Sequence, residues 1–178
     1  MNALINITGN LDNERGAQIF NEIRCANMQP DVERIVLLIS SGGGSTDIIV
    51  PIWEIIEMCD KPVIAIGSIC VASTAAALFM MAKTRILMPN TEFLLHKSAA
   101  NLGGRFMADD LQRILKTNAD ATRELLKPVL TNSSLPAATL HKKIGNGDDW
   151  RLTDEEVQKY GIVTQTYNRE DVKKYLMS

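Results

Sequence analysis

The stretch AIGSICVASTAAALFMMAKTR, residues 65–85, places one serine, Ser73, among small residues inside the longest uncharged run of the chain, residues 62–82. A run of this length is long enough to cross a bilayer. However, a glycine and several hydroxyl side chains interrupt it, no second span exists, and amphipathic segments flank it on both sides. The alternative to a membrane span is a buried strand followed by a buried helix, in which the Ser73 hydroxyl either bonds a nearby carbonyl or performs chemistry.

The composition predicts one globular domain over residues 1–178. Of the 178 residues, 46% are hydrophobic and 22% are charged, which is enough apolar material for a proper core. The formal net charge of −2 gives no indication of a nucleic-acid or anionic-membrane partner. The amino terminus, MNALINITGN, lacks the basic start and the apolar core of a secretory signal, so we expect a cytoplasmic protein.

The cysteines and histidines do not form a metal-binding pattern. Cys25, Cys59 and Cys70 are odd in number, have unrelated spacings and include no CxxC motif, and the chain has only two histidines, His96 and His141. We therefore expect reduced thiols, no zinc site and no cofactor.

Strands alternate with helices along the chain, a pattern that predicts an α/β fold with a largely parallel sheet. Predicted strands are ALINITG, RIVLLIS, PVIAIGSI, RILMP, EFLLH and IVTQTY. Predicted helices cover residues 13–28, 46–58 and 72–82. One long helix over residues 105–130 is predicted to be broken by Pro128, and a shorter one follows to about residue 143. The last of them, TDEEVQKYG, has a capping pattern and is closed by Gly161. A terminal helical turn or two follows the last strand.

The segment SSGGGS, residues 40–45, follows a predicted buried strand, at the end of the sheet where open α/β folds place their ligands. Three glycines permit backbone conformations closed to other residues and let a substrate come close to main-chain N–H groups. The segment could be a tight turn, a phosphate cradle, or an oxyanion hole or peptide-docking strand. Neither GxxxxGK[ST] nor GxGxxG is present, which weakens the nucleotide interpretation.

Ser73 begins the small-residue helix, where unpaired N–H groups and the helix dipole favour negative charge beside a nucleophile. A nucleophilic serine needs a base. His96 ends the apolar strand EFLLH and could face Ser73 from the next element, or it could be a structural histidine. His141 lies in the polar stretch LHKK and is predicted to be a solvated surface residue.

Four segments in this order carry a family resemblance: GGGS, ASTAAALFMMAKTR, LMPNTEFLLH and DDWRLTDEEVQKYGIV. Together they resemble the proteolytic subunit of the Clp protease, a serine peptidase of the ClpP/crotonase fold. The match covers residues 35–165. It implies repeated ββα units with a largely parallel sheet, and a long helix that is used for ring stacking.

Position by position, the resemblance implies a Ser-His-Asp triad acting on peptide or unfolded protein substrates. Ser73 would be the nucleophile and His96 the general base. The backbone N–H groups of Gly44 and Thr74 would form the oxyanion hole, with Gly43 next to it.

The acid of the triad has two candidates. Counting back from Trp150 selects Asp148, whereas counting back from the helix TDEEVQKYG selects Asp149, because Arg151 looks like one extra residue relative to the family pattern. The helix is the longer anchor and favours Asp149.

The sequence departs from the family pattern in two places near the site. Gly42 stands where the family usually has proline, which predicts a less rigid segment before the oxyanion hole. The segment between Gly67 and Ser73 is about two residues longer than usual, so the assignment of Ser73 depends on the match downstream of it.

The resemblance also implies a homo-oligomeric ring, a double heptamer, that stacks through the long helix and the strand-like segment before it. Here KSAANLGGRF, residues 97–106, precedes that helix. An ATP-driven unfoldase is the partner that the resemblance implies. In that family the residues ahead of the first strand meet this partner, and since the chain begins almost directly with that strand, the sequence leaves its docking open.

Three other functions compete with this one. A crotonase-type acyl-CoA enzyme shares the fold and a paired N–H hole, but no convincing pair of glutamates lies beside GGGS. A catalytically silent ring subunit would not need Ser73, His96 and two candidate aspartates. A serine–lysine peptidase using Lys97 is disfavoured because the adjacent strand position points to the other face of the sheet.

Overall fold

A mixed β-sheet carries the candidate site, and this computed structural model describes residues 1–99, 103 and 107–177 of the chain. Within that part, the strands are β1 (Asn2–Leu11), β2 (Arg34–Gly44), β3 (Val63–Ala72), β4 (Thr84–Leu87), β5 (Glu92–Leu95) and β6 (Trp150–Leu152). The helices are α1 (Asn13–Met28), α2 (Ile49–Glu57, preceded by a 3₁₀ turn, Thr46–Ile48), α3 (Thr74–Met81), α4 (Ala108–Thr131), α5 (Ala137–Ile144), α6 (Asp154–Lys159) and α7 (Arg169–Met177).

The strand order in the sheet is β1-β2-β3-β5-β6, and β4 also pairs with β3. All pairs are parallel except β5 with β6, which is antiparallel. The predicted α/β class with a largely parallel sheet is confirmed. Consecutive parallel strands need a crossover, and here helices supply it, so one face of the sheet is covered by helices.

The larger core lies between the sheet and the helices α1 to α4, and all eight residues of α3 are buried, seven of them in this core. A smaller cluster, on residues of β2, β3 and β4, packs against Val172 of α7. The stretch 65–85 is therefore a buried strand followed by a buried helix. None of the helices in the described part of the chain has the length and apolar content needed to span a bilayer.

Strand β3 has an irregularity just before Ser73. Residues 64–67 pair with β4 and residues 70–72 pair with β5. Against β2, the register changes by two residues between the pairs Ile39↔Gly67 and Ser41↔Val71. The extra residues form a bulge, with Ile69 at φ 61° on its exposed side. The additional length noted in the sequence is accommodated there, and the strand returns to the sheet before Ser73.

The segment SSGGGS is not a separate loop, because β2 continues through it to Gly44. Pairing with β1 extends to Leu11↔Gly44. The two strands are so close there that a Cβ on Gly44 would lie 2.3 Å from the Leu11 carbonyl oxygen. The glycines thus extend the sheet into the site.

The predicted break of the long helix at Pro128 is wrong, since α4 continues to Thr131. Proline removes one N–H donor, but its own carbonyl still accepts a hydrogen bond from Asn132 N–H at 3.0 Å. Pro128 and Val129 are buried, so core packing holds this turn in helical form. The predicted start at residue 105, and most of the segment 97–106, lie outside the described residues.

The predicted strand IVTQTY is also wrong. Thr164 N–H and Gln165 N–H both donate to the single carbonyl of Arg85, at 3.1 and 3.2 Å, so the segment meets β4 at one residue instead of forming a ladder. The chain instead forms β6 earlier, at Trp150–Leu152, which the sequence did not predict.

Candidate active site

Ser73 occupies the junction between β3 and α3 in an unusual backbone conformation, φ 55° and ψ −126°. Its N–H donates to the Leu94 carbonyl of β5 at 3.2 Å, and its carbonyl accepts the Ala77 N–H at 3.1 Å. The Ser73 hydroxyl makes no capping bond to the helix. Among the described residues it has no hydrogen-bond partner of its own, so the interpretation of Ser73 as a carbonyl-bonded structural serine is not supported.

Ser73 and His96 line one cavity of about 510 Å³. His96 follows the last residue of β5, so the strand adjacent to β3 brings the imidazole to the same edge of the sheet as Ser73. The other lining residues are Gly9, Asn10, Gly42, Gly43, Gly44, Thr46, Ser98, Ala99 and Leu125. No carboxylate is among the described residues that line this cavity.

Asp149 lies beside His96, with 3.8 Å between Asp149 Oδ1 and His96 Nδ1. The cause is the antiparallel register of β5 and β6, in which Leu95 pairs with Trp150 and the next opposed positions are His96 and Asp149. No contact of this kind joins Asp148 to His96 within the described part of the chain. The separation is longer than a hydrogen bond.

The strand that positions Asp149 is itself anchored. Trp150 is buried, and its indole N–H donates to Glu156 Oε2 at 3.2 Å. The same carboxylate accepts the Thr153 N–H at 3.1 Å, in the capping box that begins α6. The predicted cap of α6 therefore also fixes β6 next to β5.

The glycine segment of β2 is in contact with the start of α3. Gly43 has φ 99°, and a Cβ there would lie 2.7 Å from Ser73 Cβ and 2.9 Å from Thr74 N. Only glycine fits this position. Thr74 Oγ1 donates to the Gly44 carbonyl at 3.1 Å, so the two segments whose N–H groups are predicted to bind an oxyanion are tied together.

Helix α3 offers a backbone N–H donor at its first residue. Thr74 is its first residue, and the first N–H groups of a helix have no partner within the helix. Gly43 N–H, in contrast, already donates to Ser41 Oγ at 3.0 Å. The N–H group of Thr74 is thus better suited to an oxyanion than that of Gly43.

The segment after His96 is held by α4. Ser98 N–H donates to Thr122 Oγ1 at 3.1 Å, and the Ser98 carbonyl accepts from Asn118 Nδ2 at 2.9 Å. These two side chains were not recognised in the sequence, because their role depends on how the long helix crosses the end of β5. They fix the backbone next to the candidate base.

The other candidate groups lie elsewhere or are unsuited to catalysis. His141 is exposed on α5, as predicted. Lys97 Nζ donates to the Gly145 carbonyl at 2.6 Å and does not line the cavity, which removes support for a serine–lysine mechanism. Burial raises the pKa of the Cys70 thiol, and the nearby Glu92 raises it further, so this thiol is a poor nucleophile.

The remaining cysteines and acidic residues suggest no additional site. All three cysteines are free thiols. Burial raises the pKa of Cys59, whose Sγ lies 3.2 Å from the Ile55 carbonyl. The described residues contain no cluster of three His, Cys, Asp or Glu side chains arranged to hold a metal ion.

Comparison with known proteins gives consistent results. The family model described as Clp protease matches residues 1–170. The ATP-dependent Clp protease proteolytic subunit of Streptococcus mutans is 24% identical, over 96% of this chain and 87% of its own length. Subunit 2 of the same protease from Tropheryma whipplei is 28% identical, over 86% of this chain and 84% of its own. A solved structure of a ClpP1 mutant from Listeria monocytogenes superposes with a TM-score of 0.80 at 19% identity, covering 96% of this chain and 95% of that one, and shows the shared fold.

Proposed function

The chain belongs to the Clp protease family, a family of serine endopeptidases, and on this premise we propose that it hydrolyses peptide bonds with Ser73 as nucleophile. His96 is the general base and Asp149 the acid that orients it. The observation that carries this proposal is the cavity that Ser73 shares with His96, together with Asp149 at 3.8 Å from the imidazole.

In this mechanism, Ser73 Oγ attacks the carbonyl carbon of the peptide bond while His96 Nε2 takes the hydroxyl proton. The negative charge on the former carbonyl oxygen is stabilised by the N–H groups of Gly44 and Thr74. His96 then gives the proton to the departing amine, and a water molecule, activated by the same imidazole, hydrolyses the acyl-enzyme. Asp149 keeps the Nδ1 proton of His96 directed towards itself and stabilises the imidazolium.

The resting site is more open than this mechanism requires. No hydrogen bond joins Ser73 Oγ to His96 in the described residues, and the His96–Asp149 pair must shorten by about 1 Å to become a hydrogen bond. Catalytic hydrogen bonds of unliganded enzymes commonly tighten when substrate binds. Substrate in the cavity would displace water and bring the two pairs together.

The acyl-CoA alternative needs acid–base groups at the cavity, and the described lining residues supply no carboxylate. The catalytically silent alternative makes a different prediction, namely that Ser73 is no more reactive than any other serine. Activation of Ser73 therefore distinguishes the peptidase from both alternatives.

The proposed assembly is a ring oligomer, a double heptamer with the active sites enclosed. Support comes from α4, whose residues Leu111 and Leu115 are exposed in a single copy of the chain, and from the family to which the chain belongs. The relatives described above are named as subunits of ATP-dependent proteases. By analogy, an ATP-driven unfoldase is the partner that would deliver unfolded protein to the ring.

The test is labelling with a fluorophosphonate, followed by intact-mass measurement of the parent, Ser73→Ala and His96→Ala. Ser68→Ala is the matched control, since Ser68 is a partly buried serine of β3, the strand that leads to Ser73. We expect one adduct per chain in the parent and in Ser68→Ala, none in Ser73→Ala, and strongly reduced labelling in His96→Ala. A folded, assembled parent that takes up no label would contradict the proposal, and acyl-CoA binding would then be measured.

A further inference from the structure

The hydroxyl of Ser41 makes two hydrogen bonds beside the candidate oxyanion hole, and nothing in the proposed mechanism uses it. Ser41 is only 4% exposed. Its Oγ donates to the Gly9 carbonyl of β1 at 2.6 Å and accepts the Gly43 N–H at 3.0 Å. The side chain therefore joins a neighbouring strand to the glycine segment of its own strand.

The reason for these bonds is an irregularity between β1 and β2. The register passes from Thr8↔Ser40 to Asn10↔Gly43, so that two residues of β2 lie opposite Gly9 alone. Such a bulge interrupts the ladder of backbone hydrogen bonds. The Ser41 hydroxyl, which is both a donor and an acceptor, bonds a carbonyl on one side of the bulge and an N–H on the other.

The consequence for the active site lies in the peptide unit that joins Gly43 to Gly44. This unit carries the Gly44 N–H that is proposed to bind the oxyanion. On one side, Ser41 holds the Gly43 N–H, and on the other, Thr74 Oγ1 holds the Gly44 carbonyl. Glycine has no intrinsic preference for one orientation of such a unit, so groups outside the glycines set it, namely the pairing with β1 and these two hydroxyls.

We propose that Ser41 is a positioning residue of the oxyanion hole, and that its hydroxyl fixes the orientation of the Gly43–Gly44 peptide towards Ser73. This inference rests on the proposed peptidase function. Ser41 itself touches no reacting atom, because its hydroxyl is buried and both of its bonds are to backbone groups of the protein. Its effect on catalysis is transmitted through Gly43.

The experiment compares the parent with Ser41→Ala, Ser41→Thr and Ser40→Ala on a fluorogenic peptide, with active sites counted by fluorophosphonate labelling. Ser41→Ala removes both bonds, and Ser41→Thr keeps the hydroxyl. Ser40→Ala is the matched control, because Ser40 is the preceding serine of the same strand and no hydrogen bond of its side chain is seen among the described residues. Hydrogen exchange at the Gly43 amide is followed in the same samples.

We expect Ser41→Ala to lower kcat by about 10- to 100-fold with KM changed less than about threefold, since misplacing an oxyanion donor weakens transition-state binding specifically. Gly43 amide exchange should become faster in the same variant. Ser41→Thr should recover most of kcat, and Ser40→Ala should match the parent. A structural role alone would lower the number of active sites and leave kcat per site unchanged.

The inference would be overturned if kcat per active site in Ser41→Ala stayed within about twofold of the parent value. It would also be overturned if Ser41→Thr and Ser40→Ala lost as much kcat as Ser41→Ala. If Ser41→Ala does not fold, Ser41→Cys, which has nearly the same size and a much weaker hydrogen bond, replaces it with the same expected direction. A parent that neither labels nor hydrolyses peptides would refute the proposed function, and the role of Ser41 in catalysis with it. An active parent with an equally active Ser41→Ala would refute the role of Ser41 alone.

Discussion

Asp148 and Asp149 are adjacent and exposed, yet only Asp149 lies beside His96, 3.8 Å from its Nδ1. The antiparallel pairing of β5 with β6 opposes His96 to Asp149 and moves Asp148 one residue further from the strand. Successive residues of an extended chain point in opposite directions, so the neighbouring carboxylate cannot simply replace the first.

We expect Asp149→Asn to lower kcat by roughly 10²- to 10⁴-fold, because the amide cannot stabilise the imidazolium and favours the wrong tautomer of His96. Asp148→Asn is the matched control, with the same chemical change one residue away, and should keep kcat within about twofold. The measurement is the steady-state hydrolysis of a fluorogenic peptide by both variants. The opposite ranking would assign the acid to Asp148.

Ile69 combines a left-handed backbone, φ 61°, with an exposed side chain, 76% of whose surface is accessible. A β-branched residue is strained in this region of φ, at a cost of about 1–2 kcal/mol. We therefore expect Ile69→Gly to be more stable than Ile69→Ala by about 1 kcal/mol, because alanine keeps the Cβ that causes the strain and glycine does not. Urea unfolding at one protein concentration measures the difference.

The control for Ile69 is Ala17→Gly on the exposed side of α1. There the glycine form should be less stable than the alanine form, which is the opposite of the difference expected at residue 69. In a helix, glycine is about 1 kcal/mol less favourable than alanine. If Ile69→Ala proved as stable as Ile69→Gly while Ala17→Gly behaved as expected, the left-handed backbone at Ile69 would carry no strain.

At the scale of secondary-structure elements, Arg85 of β4 joins the ends of three helices. Its guanidinium donates to the Ala82 carbonyl after α3 and the Asn132 carbonyl after α4, both at 2.8 Å. It also donates to the Gly161 and Ile162 carbonyls after α6, at 2.9 and 2.8 Å. Helix carboxyl ends carry partial negative charge, so they suit a cation even without a carboxylate. Burial lowers the pKa of Arg85, but a guanidinium stays protonated.

We expect Arg85→Met to lower the free energy of unfolding by about 3 kcal/mol or more, because it leaves four carbonyls, two in buried and two in partly buried hydrogen bonds, without their donor. Arg85→Lys keeps the charge but not the planar fork, and should lose at least about 1 kcal/mol. Arg24→Met on exposed α1 is the control and should change stability by less than about 0.5 kcal/mol. Equal stability of Arg85→Met and Arg24→Met would contradict the role assigned to Arg85.

The elements that could be predicted from the sequence are those with a local signal. The bounds of α1 could be predicted from the helical spacing of its apolar residues, which stops before Pro30. Helix α6 could be predicted from its capping box. Strand β6 has only three residues, too few for a periodic pattern, and exists because β5 offers a free edge. Conversely, residues 162–167 have a strand-like sequence but meet only one carbonyl of β4, so no ladder forms.

The residues of the candidate site also differ in whether a local sequence signal predicts them. Ser73 and His96 follow from short sequence motifs at the ends of neighbouring elements, and the structure brings both to one cavity. The choice between the two aspartates depends on the register of a strand that the sequence did not reveal. Ser41 could not be recognised, because its partner Gly9 lies 32 residues away and the bonds depend on a bulge between two strands. The catalytic roles themselves stay predictions until the variants are measured.

On the scale of the whole molecule, one surface of α4 has no partner among the described residues of a single copy. Met107, Leu111 and Leu115 recur every four residues, which places them on one side of the helix. Their exposed fractions are 68%, 42% and 70%. Such an exposed apolar stripe indicates a contact with another molecule, and in the proposed ring that molecule is a second copy of this chain.

We expect the parent to sediment as a particle of about fourteen times the 19.7 kDa mass of one chain. The double variant Leu111→Lys, Leu115→Lys should give particles of half that mass or less, because four lysines cannot be brought together across a two-fold contact without repulsion and loss of hydration. The control is Gln112→Lys, Thr117→Lys, which adds the same charges to exposed polar positions of the same helix. Sedimentation velocity at micromolar concentration measures all three. A parent that is monomeric under these conditions would contradict the ring. A full-sized particle in the leucine variant would show that the contact between rings does not lie on this side of α4.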